Sequence, residues 1–301
     1  MSIDLTGRVA IVTGSGRGLG RAYAEALAAA GAAVVVNDVD AEVAEKAAAA
    51  ITAAGGTAVA NVGAVGPTEA ADALVERAVE EFGRLDMMCT NAGALRDRTL
   101  LKLSDEELDV VLDSHIRGTI TCGRAAARRF RDQGEGGRLI LIGSPAGQHG
   151  NFGQTAYGAS KAAIIGLVRV WSVELAKIGV TVNAVVPKAL TRMAATIPAL
   201  KDVVADVEAG GPVPPRLRHE GTGTVEDVAP LVVFLSSAES AGITGQYFGF
   251  GGDRLSIWGH PKEAFVTHRE GGWTVDALRE AFAEHAGQLQ PHPREAQHAA
   301  S

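Results

Sequence analysis

The chain has 301 residues, 47% of them apolar and 21% charged, with 35 acidic against 28 basic side chains for a net charge of −7. That composition supports a sizeable core, and its acidic balance argues against a nucleic-acid partner, which needs a basic face. No run of about 18 apolar residues is present to cross a membrane, and the start MSIDLTGRVAIVTG lacks the charge and apolar pattern of a secretion signal, so a cytoplasmic location is expected.

In chain order, RVAIVT (8–13), AAVVVN (32–37), TAVAN (57–61), LDMMCT (85–90), RLILIG (138–143), VTVNAVV (180–186) and QYFGF (246–250) read as strands. Several are apolar at consecutive positions, the pattern of a parallel sheet covered on both faces. Helices are predicted at 18–30, 40–54, 67–82, 104–132, 155–178 and 225–238. The alternation predicts an α/β fold, one doubly wound Rossmann-type domain over 1–252 with a mostly parallel seven-stranded sheet. Residues 190–224 carry four prolines and no clean period, and read as a substrate lid, an oligomer contact or a disordered loop. A C-terminal extension over 253–301 holds one amphipathic helix opened by Thr274 and a frayed tail. Cys89 and Cys122 lack CxxC spacing and are expected to be reduced core thiols.

The first strand runs into TGSGRGLG, whose glycines let a backbone turn sharply against a pyrophosphate at a helix N-terminus. Asp38 ends the second strand, near the spacing at which a carboxylate binds the adenosine ribose. It would repel a 2′-phosphate, since like charges 4 Å apart cost about 4 kcal/mol at an effective dielectric of 20. NAD is therefore expected over NADP, although Arg17 beside the glycine turn could receive a phosphate.

Tyr157 and Lys161 are four apart in YGASK, on one helix face, where an ammonium lowers a phenol's pKa enough for proton exchange with an alcohol. Ser144, at the end of the fifth strand, can donate a hydrogen bond to the substrate oxygen as charge develops.

TGSGRGLG, TNAG (90–93), GSPAG, YGASK and VTVNAVVP together resemble the short-chain dehydrogenase/reductase family over roughly residues 5–252. The resemblance implies hydride transfer between a nicotinamide cofactor and a carbonyl or secondary alcohol. It implies that Tyr157 is the acid/base, that Lys161 holds the nicotinamide ribose and tunes Tyr157, and that Ser144 orients the substrate. It places the cofactor on Gly14, Arg17, Gly18, Leu19, Asp38, Val62, Asn91, Gly93, Tyr157, Lys161, Pro187 and Thr191, with Val62 beside the adenine. It also implies a homo-oligomer, tetramer or dimer. Three positions depart from the pattern: Thr90 for an asparagine, Asn61 for an aspartate, and Lys188 for a glycine, where a cation would suit an acidic substrate or point to solvent.

His115, in HIRG, takes the place of an asparagine that the family uses to hold a water behind Lys161. It reads as a support of that proton relay or as a tolerated helix residue; no ligand partner stands at metal spacing, so no metal site is expected. With RDR after NAG, this histidine resembles the dehydrogenase part of peroxisomal multifunctional enzyme type 2 and its stand-alone bacterial relatives. The implied reaction is NAD-dependent oxidation of a hydrophobic secondary alcohol, a 3-hydroxyacyl-CoA or a hydroxysteroid, within lipid metabolism. Two alternatives stand beside it: an NADP-dependent 3-oxoacyl carrier-protein reductase, and a catalytically silent nucleotide-binding subunit.

Overall fold

The structure is a computed structural model that describes residues 3–191, 193–196 and 200–289. Eight strands form one sheet: β1 (Val9–Thr13), β2 (Ala33–Asp38), β3 (Thr57–Val62), β4 (Met87–Thr90), β5 (Gly137–Ile142), β6 (Val180–Pro187), β7 (Tyr247–Gly251) and β8 (Arg254–Ile257). Their order is β3-β2-β1-β4-β5-β6-β7-β8, and every pairing is parallel except the antiparallel β7–β8 hairpin.

The doubly wound sheet is thus as the alternation implied, with an eighth strand added to the expected seven. β8 was illegible because it is four residues long and beyond the last parallel crossover. It extends the sheet past residue 252, to Ile257.

Side chains leave each strand alternately for two cores. Ala10 and Val12 of β1 join the core under α1 (Gly18–Ala29), α2 (Ala41–Ala53) and α10 (Ala229–Ser236). Val9 and Ile11 join the other, under α3 (Thr68–Phe82), α5 (Gly118–Gln133) and α7 (Thr155–Glu174). Both strand faces are dry, which accounts for the unbroken apolar runs, and each fully buried Leu or Ile contributes about 1.5–3 kcal/mol. The two cysteines fall in different cores and are free; burial pushes both thiols up to about 12, so they stay protonated and inert.

The predicted helix 104–132 is interrupted. α4 (Asp105–Leu112) opens with a capping box between Ser104 and Glu107, and a π-helical turn, Asp113–Arg117, then joins it to α5. The insert after β6 is also more ordered than its sequence suggests. α8 (Lys201–Glu208) and α9 (Pro215–His219) fold over a small core of Leu190, Val204 and Val213. The helical signal was present in KDVVADVE, but eight residues between a proline and two glycines is too short a run to read as periodic.

A second compact unit begins at Gly259. Within it Thr274 caps α11 (Val275–Glu284), its hydroxyl accepting from the Ala277 amide at 3.2 Å, as the sequence implied. The tail expected to fray lies, from residue 290 on, outside the described residues.

Candidate active site

Strand order reverses between β1 and β4, and their carboxyl ends open a crevice where ligands bind in such sheets. A cavity of about 930 Å³ occupies it, walled by the glycine turn, Asn37–Val39, Gly63–Pro67, Asn91–Ala94, the end of α4 with the π turn, Thr191 and Met193. Of the expected cofactor residues, Gly14, Arg17, Gly18, Leu19, Asp38, Asn91, Gly93 and Thr191 line it. Val62 does not: it is half exposed at the end of β3, and Gly63 and Ala64 form the wall there. Pro187, at the end of β6, also stands off the wall.

One seam holds the two strand ends together. The Thr13 hydroxyl accepts from the amides of Asn91 and Ala92, each at 3.0 Å, and the Asn91 side chain donates to the carbonyls of Thr13 and Gly14, also at 3.0 Å. Gly14 turns with φ +60°, and a Cβ there would meet the Ala92 backbone at 2.8 Å, so only glycine permits the approach. Asn91 is thus a fastener of the glycine turn as well as a wall of the cavity.

Asp38 is buried, with one carboxylate oxygen accepting from the Gly16 amide and the other from the Asp40 amide, both at 3.2 Å. Asn61, the departure from aspartate, accepts from the Asn37 side-chain amide at 3.2 Å and so joins β2 to β3. Arg17 is paired with Asp40 at 3.3 Å. Lys188 donates to the Glu220 carbonyl at 2.8 Å, bracing the end of β6 against the insert.

Ser144, Tyr157 and Lys161 form a cluster beside the cavity, set off from its wall. Ser144 leaves the end of β5 and hydrogen-bonds the Tyr157 phenol. The fully buried Lys161 ammonium donates to the Ile142 carbonyl at 2.7 Å and lies 5.7 Å from the Tyr157 ring centre. Burial pulls Lys161 down to about 7. Burial also raises the Tyr157 phenol above its ordinary value, against the Ser144 bond that lowers it. The lowering expected from the neighbouring ammonium is not found: burial and then the Asp97 charge raise the phenol, and Ser144 alone opposes them.

His115 links cluster and cavity. It is 3% exposed, and its ring meets Tyr157 edge-on with centroids 5.3 Å apart. Burial and the Lys161 charge lower it to about 3, so the ring is neutral near pH 7. A carbonyl can only accept, so the 2.9 Å contact between Nε2 and the Ala94 carbonyl assigns the proton to Nε2. Nδ1 is left buried without a hydrogen-bond partner.

The preceding residue completes the grip: the Ser114 hydroxyl accepts from the Ala94 amide at 3.1 Å while donating to the Val110 carbonyl at 2.8 Å. Consecutive residues of the π turn thus hold both sides of Ala94. Sequence reading missed Ser114, since an unremarkable serine in a helix gives no sign of a π turn.

The short chain dehydrogenase family model matches residues 8–201. This chain belongs to the short-chain dehydrogenase family. Such dehydrogenases are NAD(P)-dependent oxidoreductases acting on the CH–OH group. The chain is 40% identical over 270 residues to the hydroxyacyl-CoA dehydrogenase ChsB1 of Mycobacterium tuberculosis, covering 86% of this chain and 81% of that one. It is 38% identical over 285 residues to peroxisomal multifunctional enzyme type 2 of Mus musculus, covering 91% of this chain and 36% of that one. The crystal structure of a short chain dehydrogenase from Mycobacterium avium superposes with a TM-score of 0.82 at 34% identity, covering 97% of this chain and 98% of that one.

A dinucleotide fits this dehydrogenase on its own geometry. α1 begins at Gly18 in the cavity wall with no side-chain cap at its N-terminus, and the buried Asp38 carboxylate lines the same cavity.

Two outcomes test the His115 arrangement. A Cβ on Gly93 would lie 1.9 Å from the His115 ring, so Gly93→Ala should lower the melting temperature, and adding His115→Ala should recover much of the loss. The second concerns pH. With a folded pKa of about 3 against 6.5 unfolded, this group's stabilisation is complete above pH 6.5 and declines as pH falls towards 3, by about 1.4 kcal/mol per pH unit. Urea titrations at pH 7 and pH 5 should show a smaller acid loss in His115→Asn than in the parent.

Proposed function

We propose that this short-chain dehydrogenase uses NAD to oxidise a hydrophobic secondary alcohol, a 3-hydroxyacyl-CoA thioester or a hydroxysteroid. The observation that carries the cofactor choice is Asp38: a buried carboxylate in the cavity wall, both oxygens already oriented by backbone amides. Held there, it accepts hydrogen bonds from ribose hydroxyls and repels a 2′-phosphate.

In this reading the bound nicotinamide supplies the hydride acceptor. Tyr157 removes the alcohol proton as the C–H hydride departs, leaving a ketone. Ser144 orients the alcohol oxygen through its hydroxyl. Lys161 holds the nicotinamide ribose and carries the proton onward. His115 acts as a neutral support that keeps Ala94, and so the floor of the cavity, beneath these groups; it exchanges no proton itself. Because burial raises the Tyr157 phenol, its protonated form prevails at neutral pH, and oxidation is favoured at alkaline pH.

Support for a hydrophobic substrate comes from Leu100, Leu101 and Phe152, all strongly exposed on segments that the Arg98–Gln154 bridge joins next to the start of α7. The names of ChsB1 and multifunctional enzyme type 2 point to the same chemistry. Residues 190–224 serve as the substrate cover, supported by Thr191 and Met193 in the cavity wall. A homo-oligomer is supported by Leu255 and Ile257, exposed on the edge strand β8. No described helix is long and apolar enough to cross a membrane.

Following NAD and NADP reduction with a panel of 3-hydroxyacyl-CoAs and hydroxysteroids tests the assignment. Turnover with NAD on a member of either class is expected; preference for NADP would overturn the Asp38 argument, and activity on neither class would overturn the substrate assignment. Tyr157→Phe should lower kcat by at least about 100-fold while NAD binding, followed by calorimetry, survives. Persistent turnover in that variant would displace Tyr157 as the acid/base.

A further inference from the structure

Three charged side chains meet at the adenosine end of the cavity. Arg17, the residue preceding α1, lines it together with Asp38 and carries a cation there. Alone, that guanidinium would be a receptor for a 2′-phosphate and would undo the selectivity of Asp38. It is not alone. Its Nη2 donates to Asp40 Oδ2 at 3.3 Å. Farther along α2, Glu42 and Lys46 pair with each other.

Asp40 uses its two oxygens differently. Oδ1 accepts from the Val43 amide at 3.3 Å and caps α2, while Oδ2 faces Arg17. The pair is exposed, at 47% and 44% of the side chains, so its contribution to folding is small. Its consequence lies elsewhere: the carboxylate occupies the cation.

We propose that Asp40 is a second cofactor-selectivity residue, which binds the Arg17 guanidinium and so denies it to the 2′-phosphate of NADP. This rests on the reading of Asp38 as an NAD determinant and extends it. A 2′-phosphate has to displace Asp40 from Arg17 as well as approach Asp38. Selection against NADP is thereby shared between a buried carboxylate that acts directly and an exposed one that acts through a cation.

The cap and the ion pair can be separated chemically. Asp40→Ser and Asp40→Asn both keep an N-cap oxygen for the Val43 amide and remove the charge. Dissociation constants for NAD and NADP, measured by titration calorimetry, should show the NADP-to-NAD ratio falling about fivefold in both variants, the factor for the strongest exposed pairs. The fall should disappear when Arg17→Met is added, and should shrink at high salt as the charges are screened. An unchanged ratio in both single variants, in a protein that prefers NAD, would overturn the role of Asp40 and leave the Asp38 reading standing. The same fall without Arg17 would show that Asp40 acts by its own charge, overturning the route through the cation. Tighter binding of NADP by the parent protein would overturn the Asp38 reading, and this inference with it.

Discussion

The site depends on one constraint, the reversal of strand order between β1 and β4. These neighbours run parallel, yet the chain leaving β1 covers one face of the sheet and the chain leaving β4 covers the other. Their carboxyl ends therefore part, and side chains span the gap. Thr13 and Asn91 span it with four hydrogen bonds between the glycine turn and the TNAG loop. With that seam closed, the glycine turn and the TNAG loop form one wall of the cavity.

The second level of organisation is the hold on Ala94. A straight α-helix presents consecutive residues on diverging faces; the π turn at Asp113–Arg117 is where Ser114 and His115 take the amide and the carbonyl of one residue, Ala94. The His115 ring then covers Gly93 on one side and meets Tyr157 on the other. Floor and acid/base cluster are coupled through one buried, neutral imidazole. Its low proton affinity follows from burial beside Lys161 and makes it a packing and hydrogen-bonding element of the site.

Electrostatics divides the cavity into two ends with different logic. At the reacting end, ionisable groups are buried and their proton affinities move: Lys161 falls to about 7 and Tyr157 rises. Beside the glycine turn Asp38 is buried, whereas Arg17 and Asp40 are exposed and act by pairing. Asp38 is oriented by amides and Arg17 is engaged by Asp40. Solvent screens this exposed pair more than it screens the buried groups.

Much of this was legible from residue order. Unbroken β-branched runs announced a sheet dry on both faces, TGSGRGLG announced the turn, and Tyr157, Lys161 and Ser144 announced the chemistry, because each signal is local in the chain. Thr274 announced the cap of α11 for the same reason. What the sequence could not supply depends on contacts between distant residues. The π turn, the Ser114–Ala94 bond, the engagement of Arg17 by Asp40, the strand β8 and the small core under residues 190–224 all arise from such contacts. The direction of the Tyr157 shift belongs with them, since burial is a property of packing and outweighed the lowering by Ser144. By itself, then, the sequence determined the fold class and the family, through short-range pattern and composition, and marked the candidate reacting residues. Only the tertiary structure decided which charges are desolvated and which are paired, because both depend on what the fold brings within a few ångströms.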